Sequence, residues 1–118
     1  MSNLAGLPPL GQKVARAMPR PDYLAAVRGL PCCICVAFGH QQDSHTQAHH
    51  PIHGRYSARK SPDVTAIPLC EGHHQGLRDT SKVALHQQPS KWRRLHGPDT
   101  DWVAGTQDAL AHVLENAQ

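Results

Sequence analysis

The order of hydrophobic and polar positions predicts short elements in the first half of the chain. An apolar run that follows Pro21 predicts a helix with proline in its first turn and Gly29 at its end. Residues 31–70 are interrupted so often by glycine and proline that long regular elements are not expected there. Within this segment the apolar run 66–69 predicts a short strand, and Pro68 confines it to a sheet edge or a strand end.

The second half of the chain predicts helices. Glu71 is expected to begin a helix that carries two adjacent histidines. A second helix is expected from a Ser90 cap to the terminator Gly97. A last helix, capped by Thr100 and covering about 101–116, has its apolar positions mostly on one face. Together these patterns predict a small α+β fold.

The chain is short of hydrophobic material for a stable core. Aromatic residues make up 4% of its 118 residues and its mean hydropathy is −0.50, yet it carries ten histidines and four cysteines. Small domains that lack apolar area commonly gain stability from a metal ion or from disulfides. The chain opens on no signal peptide, and no run approaches the roughly 18 apolar residues of a membrane span, so we expect a cytoplasmic protein without a membrane partner. Thiols stay reduced in that compartment, which favours a metal.

Basic residues are unevenly spread along the chain, whose net charge is +3. Residues 1–20 lack a sustained hydrophobic period and carry scattered basic residues, so we expect a mobile basic arm before a single domain over 21–118. Basic groups can hold phosphates, although ordinary solvated surface charge explains them equally well. The candidate residues for binding nucleic acid are Lys13, Arg16, Arg20, Arg55, Arg59 and Lys60.

Two chelating pairs have the spacing of a structural zinc site. They are Cys32-x-x-Cys35 and, far along the chain, Cys70-x-x-His73. Two residues between donors let a turn point both at one ion, and two such pairs complete a closed tetrahedral shell of three cysteines and one histidine. We therefore expect Zn²⁺ that contributes folding free energy directly, in a treble-clef arrangement. Cys33 leaves the first pair ambiguous, and buried reduced thiols are the alternative without a metal.

Further histidines lie next to this zinc pattern. His49 and His50 are adjacent, and in an extended segment adjacent side chains point to opposite sides. His73 and His74 diverge by about 100° on a helix. His73 can then reach the zinc while His74 faces His49 across a short hairpin. A ligand-poor imidazole site with open positions suits a catalytic divalent ion.

These motifs resemble the HNH (ββα-metal) endonuclease superfamily, and more narrowly the phage RecA-dependent recombination-enhancement nucleases. The resemblance covers about residues 28–115 and implies a treble-clef-like ββα-metal core held by a structural zinc, with short flanking helices, in a phage or prophage protein of a bacterial host cell. The motifs that carry it are Cys-x-x-Cys at 32–35, Ala48-His49-His50-Pro51, Lys60-x-x-Asp63 and the run from Ile67 to His74.

The resemblance also implies roles for individual histidines. His50 takes the place of the general base, a task for which a neutral imidazole is suited at neutral pH. His49 and His74 match the ligands of the catalytic ion, Mg²⁺ or Mn²⁺. His86, downstream of the helix, matches a further ligand or a phosphate-contacting residue.

The sequence departs from the superfamily pattern at two positions. Thr65 stands where the superfamily usually has an asparagine, and Asp63 is the candidate to supply the orienting carboxylate instead, with a turn or cap role as its alternative. Arg78 stands four residues after His74, where other HNH enzymes often have a third histidine.

Two classes of function follow from these residues. The resemblance implies a DNA endonuclease that hydrolyses phosphodiester bonds, with DNA and a RecA-type recombinase filament as partners and recombination intermediates as substrates. The alternative is a non-catalytic zinc-dependent module that binds DNA. Such a module needs the zinc ligands but has no need of His49, His50 and His74 beside them, and this favours the enzyme.

Overall fold

The first helix has the predicted boundaries. In a computed structural model of the chain, which describes residues 18–53 and 60–115, α1 covers Pro21–Arg28 with Pro21 in its first turn and Gly29 directly after its end. Tyr23 and Val27, four residues apart on one face, are both fully buried. These two side chains pack α1 against the rest of the fold.

A second helix, α2, covers Cys33–Phe38, where only irregular structure was expected. The six residues contain no glycine or proline, and Gly39 ends the helix in a left-handed conformation with φ of 68°. Cys32 immediately precedes α2 and Cys35 lies in its first turn. The helix therefore brings both cysteines of the first chelating pair to the same end.

Within the described residues the sheet has two antiparallel strands, β1 over Thr46–His49 and β2 over Ile67–Cys70. Both strands of a two-stranded sheet are edges, so Pro68 is tolerated in β2 as predicted. The register pairs Thr46 with Cys70 and His49 with Ile67, which places the first histidine of the doubled pair at one end of the sheet. Two strands between short helices confirm the predicted α+β class.

The third helix, α3, is a single turn over Glu71–His74 that begins where β2 ends. The buried Glu71 carboxylate accepts the backbone N–H groups of Leu77 and Asp79 at 2.7 and 2.8 Å, which folds the chain into a turn directly after the helix. Gly76 adopts a φ of 65° in this turn, and a Cβ there would lie 2.6 Å from the Cβ of Ala84. Only glycine allows this close approach of the returning chain.

Among the C-terminal helices, the first ends at Gly97 as predicted, but the other boundaries differ from the prediction. Helix α4 covers Pro89–His96, so Ser90 is not its cap, because proline occupies the first turn and Gln88 precedes it without a side-chain hydrogen bond. The expected single helix over 101–116 is instead a 3₁₀ turn followed by two helices. The elements are the turn Asp99–Trp102, α5 over Val103–Ala109 and α6 over Ala111–Glu115.

In the part of the chain that the structure describes, two groups of buried residues form the core. The larger group mixes ordinary apolar side chains with the cysteines and contains Cys32, Ile34, Cys35, Ile67, Leu69, Cys70, Leu85 and Trp92. The smaller group packs α1 against the C-terminal helices and contains Tyr23, Val27, Ala66 and Leu110. The sulfurs of three cysteines thus lie in the main core, so the packing of this core depends on the group that the sulfurs bind.

One stretch of the chain has a higher mean hydropathy than expected. Pro21–Phe38 has a mean hydropathy of 1.3 over 18 residues, so the expectation that no run resembles a membrane span is wrong on composition. In the structure this stretch forms two separate helices of eight and six residues. Neither approaches the roughly 20 helical residues that cross a bilayer.

Arg20, which the sequence assigns to the mobile arm, is fastened to the domain. Its backbone N–H donates to Asp63 at 2.8 Å, and its guanidinium donates to Asp22 and, at 3.0 Å, to the carbonyl of Val113. Its side chain is only 14% exposed. Arg20 is therefore held against the domain by both its backbone and its side chain.

Candidate metal and catalytic sites

The four predicted zinc ligands meet around one point in the core. The Nδ1 atom of His73 lies 3.6 Å from the sulfur of Cys32, 3.6 Å from that of Cys35 and 3.3 Å from that of Cys70. The sulfurs of Cys35 and Cys70 are 3.9 Å apart. We call these four residues the cysteine cluster. All four are buried, and their ligand atoms could hold a metal ion.

These distances fit the edges of a coordination tetrahedron better than a set of hydrogen bonds. Metal–sulfur and metal–nitrogen bonds of about 2.3 and about 2.0 Å give sulfur–sulfur edges of about 3.8 Å and sulfur–nitrogen edges of about 3.5 Å. A ring nitrogen carries one proton or one lone pair, so His73 cannot hydrogen-bond to three sulfurs at once. A central ion accounts for all the contacts together.

The thiols of the cysteine cluster differ in acidity when no metal is bound. Hydrogen bonding with Cys32, followed by burial, raises the pKa of Cys70 to about 11, whereas the same hydrogen bond lowers the pKa of Cys32. The thiols therefore compete for protons when they are metal-free. A metal ion bound to the sulfurs would displace their protons, and its affinity would therefore depend on pH.

The structure separates Cys33 from this cluster. Cys33 lies in the first turn of α2, partly buried, and packs beside Pro31 and Val36 at an apolar surface pocket. Burial raises the pKa of the Cys33 thiol far above its ordinary range. The ambiguity between Cys32 and Cys33 is thus resolved geometrically, with Cys32 in the cluster.

Three more histidines form a second cluster on the other side of α3. The ring centroids of His49, His74 and His86 lie between 4.8 and 5.4 Å apart. One ligand nitrogen from each lies within 4.8 Å of the others, so together they could also hold a metal ion. His49 and His74 are buried but His86 is exposed. We call this the histidine cluster, and it is open to solvent at His86.

The turn after α3 explains why His86, and not Arg78, lies in the histidine cluster with His49 and His74. The helix ends at His74, so Arg78 is exposed rather than one helical turn further along the same face. The chain returns instead, and the backbone N–H groups of Leu85 and His86 donate to the carbonyls of His73 and His74 at 2.9 and 3.0 Å.

Hydrogen bonds fix which nitrogen each buried histidine can offer. Nδ1 of His74 donates to the side-chain oxygen of Gln47 at 2.6 Å, which leaves Nε2 for a metal ion. Nε2 of His49 donates to the carboxylate of Asp99 at 2.8 Å, which leaves Nδ1. Burial, and then the proximity of His49 and His86, lowers the pKa of His74 to about 3, so its ligand lone pair stays free of a proton.

Next to this cluster, His50 pairs with Asp63. Nε2 of His50 donates to Oδ1 of Asp63 at 2.8 Å, while Oδ2 of Asp63 accepts the backbone N–H of Arg20 at 2.8 Å. The backbone hydrogen bond and the His50 contact lower the pKa of Asp63, which therefore remains a carboxylate under mildly acidic conditions. Nδ1 of His50 is left as the nitrogen that can accept a proton. Thr65 takes no part, since its hydroxyl donates to Pro62.

A family model described as "Protein of unknown function (DUF968)" matches residues 13–113. This chain is a member of the DUF968 family. Comparison with curated proteins and with solved structures gave no match. The matched range contains both the cysteine cluster and the histidine cluster of this DUF968 protein.

Asp99 and Gln47 are hydrogen-bond partners of the histidine cluster that the sequence of this DUF968 protein did not predict. Asp99 lies 50 residues from His49 in the chain, and no local spacing connects the two. Gln47 had a weak signal, because it precedes His49 by two residues in a strand and so lies on the same face.

The predicted nucleic-acid contacts have mixed positions in the DUF968 protein. Lys60 is exposed, whereas Arg20 is mostly buried and already hydrogen-bonded. The remaining four predicted contacts, Lys13, Arg16, Arg55 and Arg59, lie outside the described residues.

Proposed function

We propose that this DUF968 protein is a zinc-stabilised, metal-dependent DNA endonuclease of the HNH type. The observation that carries the proposal is the pair of adjoining ligand clusters. His73 and His74 are adjacent residues of α3. His73 belongs to the cysteine cluster, which is buried, and His74 belongs to the histidine cluster, which is exposed at His86. A closed coordination shell suits a structural ion, and a shell with open coordination positions suits a catalytic ion.

The order of the elements supports the same proposal. An antiparallel pair of strands is followed directly by α3, and this is the order that a ββα-metal core would require. The candidate zinc ligands lie at the start of α2 and at the start of α3, where a treble-clef site would need them. The alternative, a DNA-binding zinc module, accounts for the cysteine cluster alone. It gives no reason for the His50–Asp63 pair beside a second cluster.

The chain's own residues supply the remaining chemistry. His50 accepts the proton of the attacking water at Nδ1, while Asp63 accepts its Nε2–H and stabilises the positive charge that the ring then gains. His49, His74 and His86 would hold the divalent ion, which supplies charge stabilisation at the scissile phosphate and the leaving oxygen. Imidazoles are less suited to Mg²⁺ than oxygen ligands are, so we expect Mn²⁺ to act at lower concentrations.

Cleavage of DNA by the purified full chain tests this proposal. Supercoiled plasmid is incubated with zinc-loaded protein and either Mn²⁺, Mg²⁺ or no added ion, each with and without a RecA filament on a homologous single strand. We expect nicked or linear product only with an added divalent ion, and more product at the filament-paired site. Absence of product in every arm, with DNA binding intact, would favour the non-catalytic module.

DNA binding should be mostly electrostatic and carried in part by the arm. A protein that lacks residues 1–17 keeps Arg20 and its contacts, so it should fold normally but bind DNA more weakly and with a smaller salt slope. The full-length double variant Lys13→Gln with Arg16→Gln is the matched control and should flatten the slope by about two. Fluorescence anisotropy between low and moderate salt measures both. Unchanged slopes would exclude the arm from the interface.

A further inference from the structure

Asp99 is a buried carboxylate whose oxygens face three donors. Oδ2 accepts Nε2–H of His49 at 2.8 Å and the backbone N–H of Ile52 at 2.7 Å, and Oδ1 accepts the backbone N–H of His53 at 3.1 Å. Its side chain is 0% exposed. The residue begins the 3₁₀ turn between α4 and α5, so it approaches the histidine cluster from a distant part of the chain.

Hydrogen bonds compensate this carboxylate for its burial. The side chain of Asp99 is fully buried, and each of its two oxygens accepts at least one hydrogen bond. A charge inside a protein persists only where such donors compensate its lost hydration. The two backbone donors fix the position of the carboxylate relative to the end of β1, and His49 is the side-chain donor that it orients.

The consequence for His49 is a fixed tautomer and a fixed ring. Because a carboxylate only accepts, Nε2 of His49 must carry the proton, and Nδ1 keeps its lone pair. A carboxylate behind a ligating imidazole also increases the basicity of the ligand nitrogen. The two adjacent histidines are thus held by different carboxylates, His49 at the end of β1 by Asp99 and His50 by Asp63.

We propose that Asp99 is a positioning residue for the divalent ion of the histidine cluster, acting through Nε2 of His49 so that Nδ1 is the ligand atom. The inference rests on the proposed function of the same site. Asp99 then supports binding of the divalent ion, and Asp63 supports the general base His50. Replacement of Asp99 should weaken ion binding, whereas replacement of Asp63 should slow cleavage.

Mn²⁺ affinity of Asp99→Asn tests the assignment. The variant keeps the size of the side chain but loses its charge and one acceptor, and Asp101→Asn, an exposed change in the same turn, is the matched control. Free Mn²⁺ is measured by electron paramagnetic resonance at a temperature where both variants are folded, and zinc content is measured on the same samples. We expect Asp99→Asn to bind Mn²⁺ about 10- to 100-fold more weakly with unchanged zinc, and Asp101→Asn to match wild type. Wild-type Mn²⁺ affinity in Asp99→Asn would overturn the proposal.

The tautomer of His49 in the wild-type protein gives a second measurement that needs no variant. Long-range ¹H–¹⁵N correlation spectra should show His49 protonated at Nε2, and diamagnetic Cd²⁺ added to the zinc-loaded protein should shift its Nδ1. A proton on Nδ1, or a shift at Nε2, would overturn the proposal even if Asp99→Asn does not fold.

These measurements separate the two proposals. If Asp99→Asn weakens Mn²⁺ binding but wild type never cleaves DNA, the positioning role is supported and the nuclease function fails. If wild type cleaves DNA and Asp99→Asn binds Mn²⁺ normally, the function is supported and the role of Asp99 fails.

Discussion

Removal of the proposed zinc should unfold the domain. The sulfurs of Cys32, Cys35 and Cys70 lie in the main core, so an empty shell leaves three thiols and an imidazole facing one another. Structural zinc binding contributes an apparent free energy of about 10–16 kcal/mol in small zinc domains. The entire stability of a typical domain is about 5–15 kcal/mol. We therefore expect binding of the ion to decide whether this chain folds.

Circular dichroism and metal analysis measure this effect. Protein purified without added zinc should hold about one tightly bound ion, and a strong chelator should abolish the cooperative melting transition. Cys70→Ser should have the same effect, whereas Cys33→Ser, the matched control outside the cluster, should melt close to wild type. An unchanged transition after complete metal removal would contradict the structural role.

Replacing His50 by alanine should abolish most cleavage without disturbing the fold. His50 is outside the cysteine and histidine clusters, and its hydrogen bond to Asp63 is only partly buried. A positioned general base contributes about 10²- to 10⁴-fold to a rate, so we expect a loss of that size at unchanged zinc content and DNA affinity. His45→Ala, a change at an exposed histidine before β1, is the control and should cleave like wild type.

Single-turnover nicking under saturating Mn²⁺ gives the rates for this comparison. Asp63→Asn should lie between wild type and His50→Ala, because the base remains but loses the carboxylate that stabilises its protonated form. Equal rates for wild type and His50→Ala would exclude His50 as the base.

The sequence predicts those parts of the site that depend on local spacing. The donors of Cys32 and Cys35 lie within one turn of chain, as do those of Cys70 and His73, so the spacing identifies both pairs. Only the choice between Cys32 and Cys33 needs the structure. The doubled histidines are similarly local, because alternation along a strand and rotation around a helix separate neighbours by known angles. These rules hold whatever the remainder of the chain does.

Long-range placement could not be predicted in the same way. Asp99 reaches His49 only because the 3₁₀ turn packs near the end of β1, and no periodicity encodes that contact. His86 reaches the histidine cluster because Gly76 lets the chain return against α3. Helix α2 was missed for a different reason, since six apolar residues between loops have no polar face to give a helical period.

In the proposed mechanism the histidine cluster holds the ion for a reaction whose base is His50. The most direct test of this mechanism is the initial rate of plasmid nicking as a function of Mn²⁺ concentration for wild type, His74→Ala and His50→Ala. We expect a saturable wild-type rate and recovery of His74→Ala only at much higher Mn²⁺, because that variant retains two ligands. His50→Ala should stay slow at every concentration. Restoration of His50→Ala to the wild-type rate by Mn²⁺, or nicking by wild type that needs no divalent ion, would contradict the account.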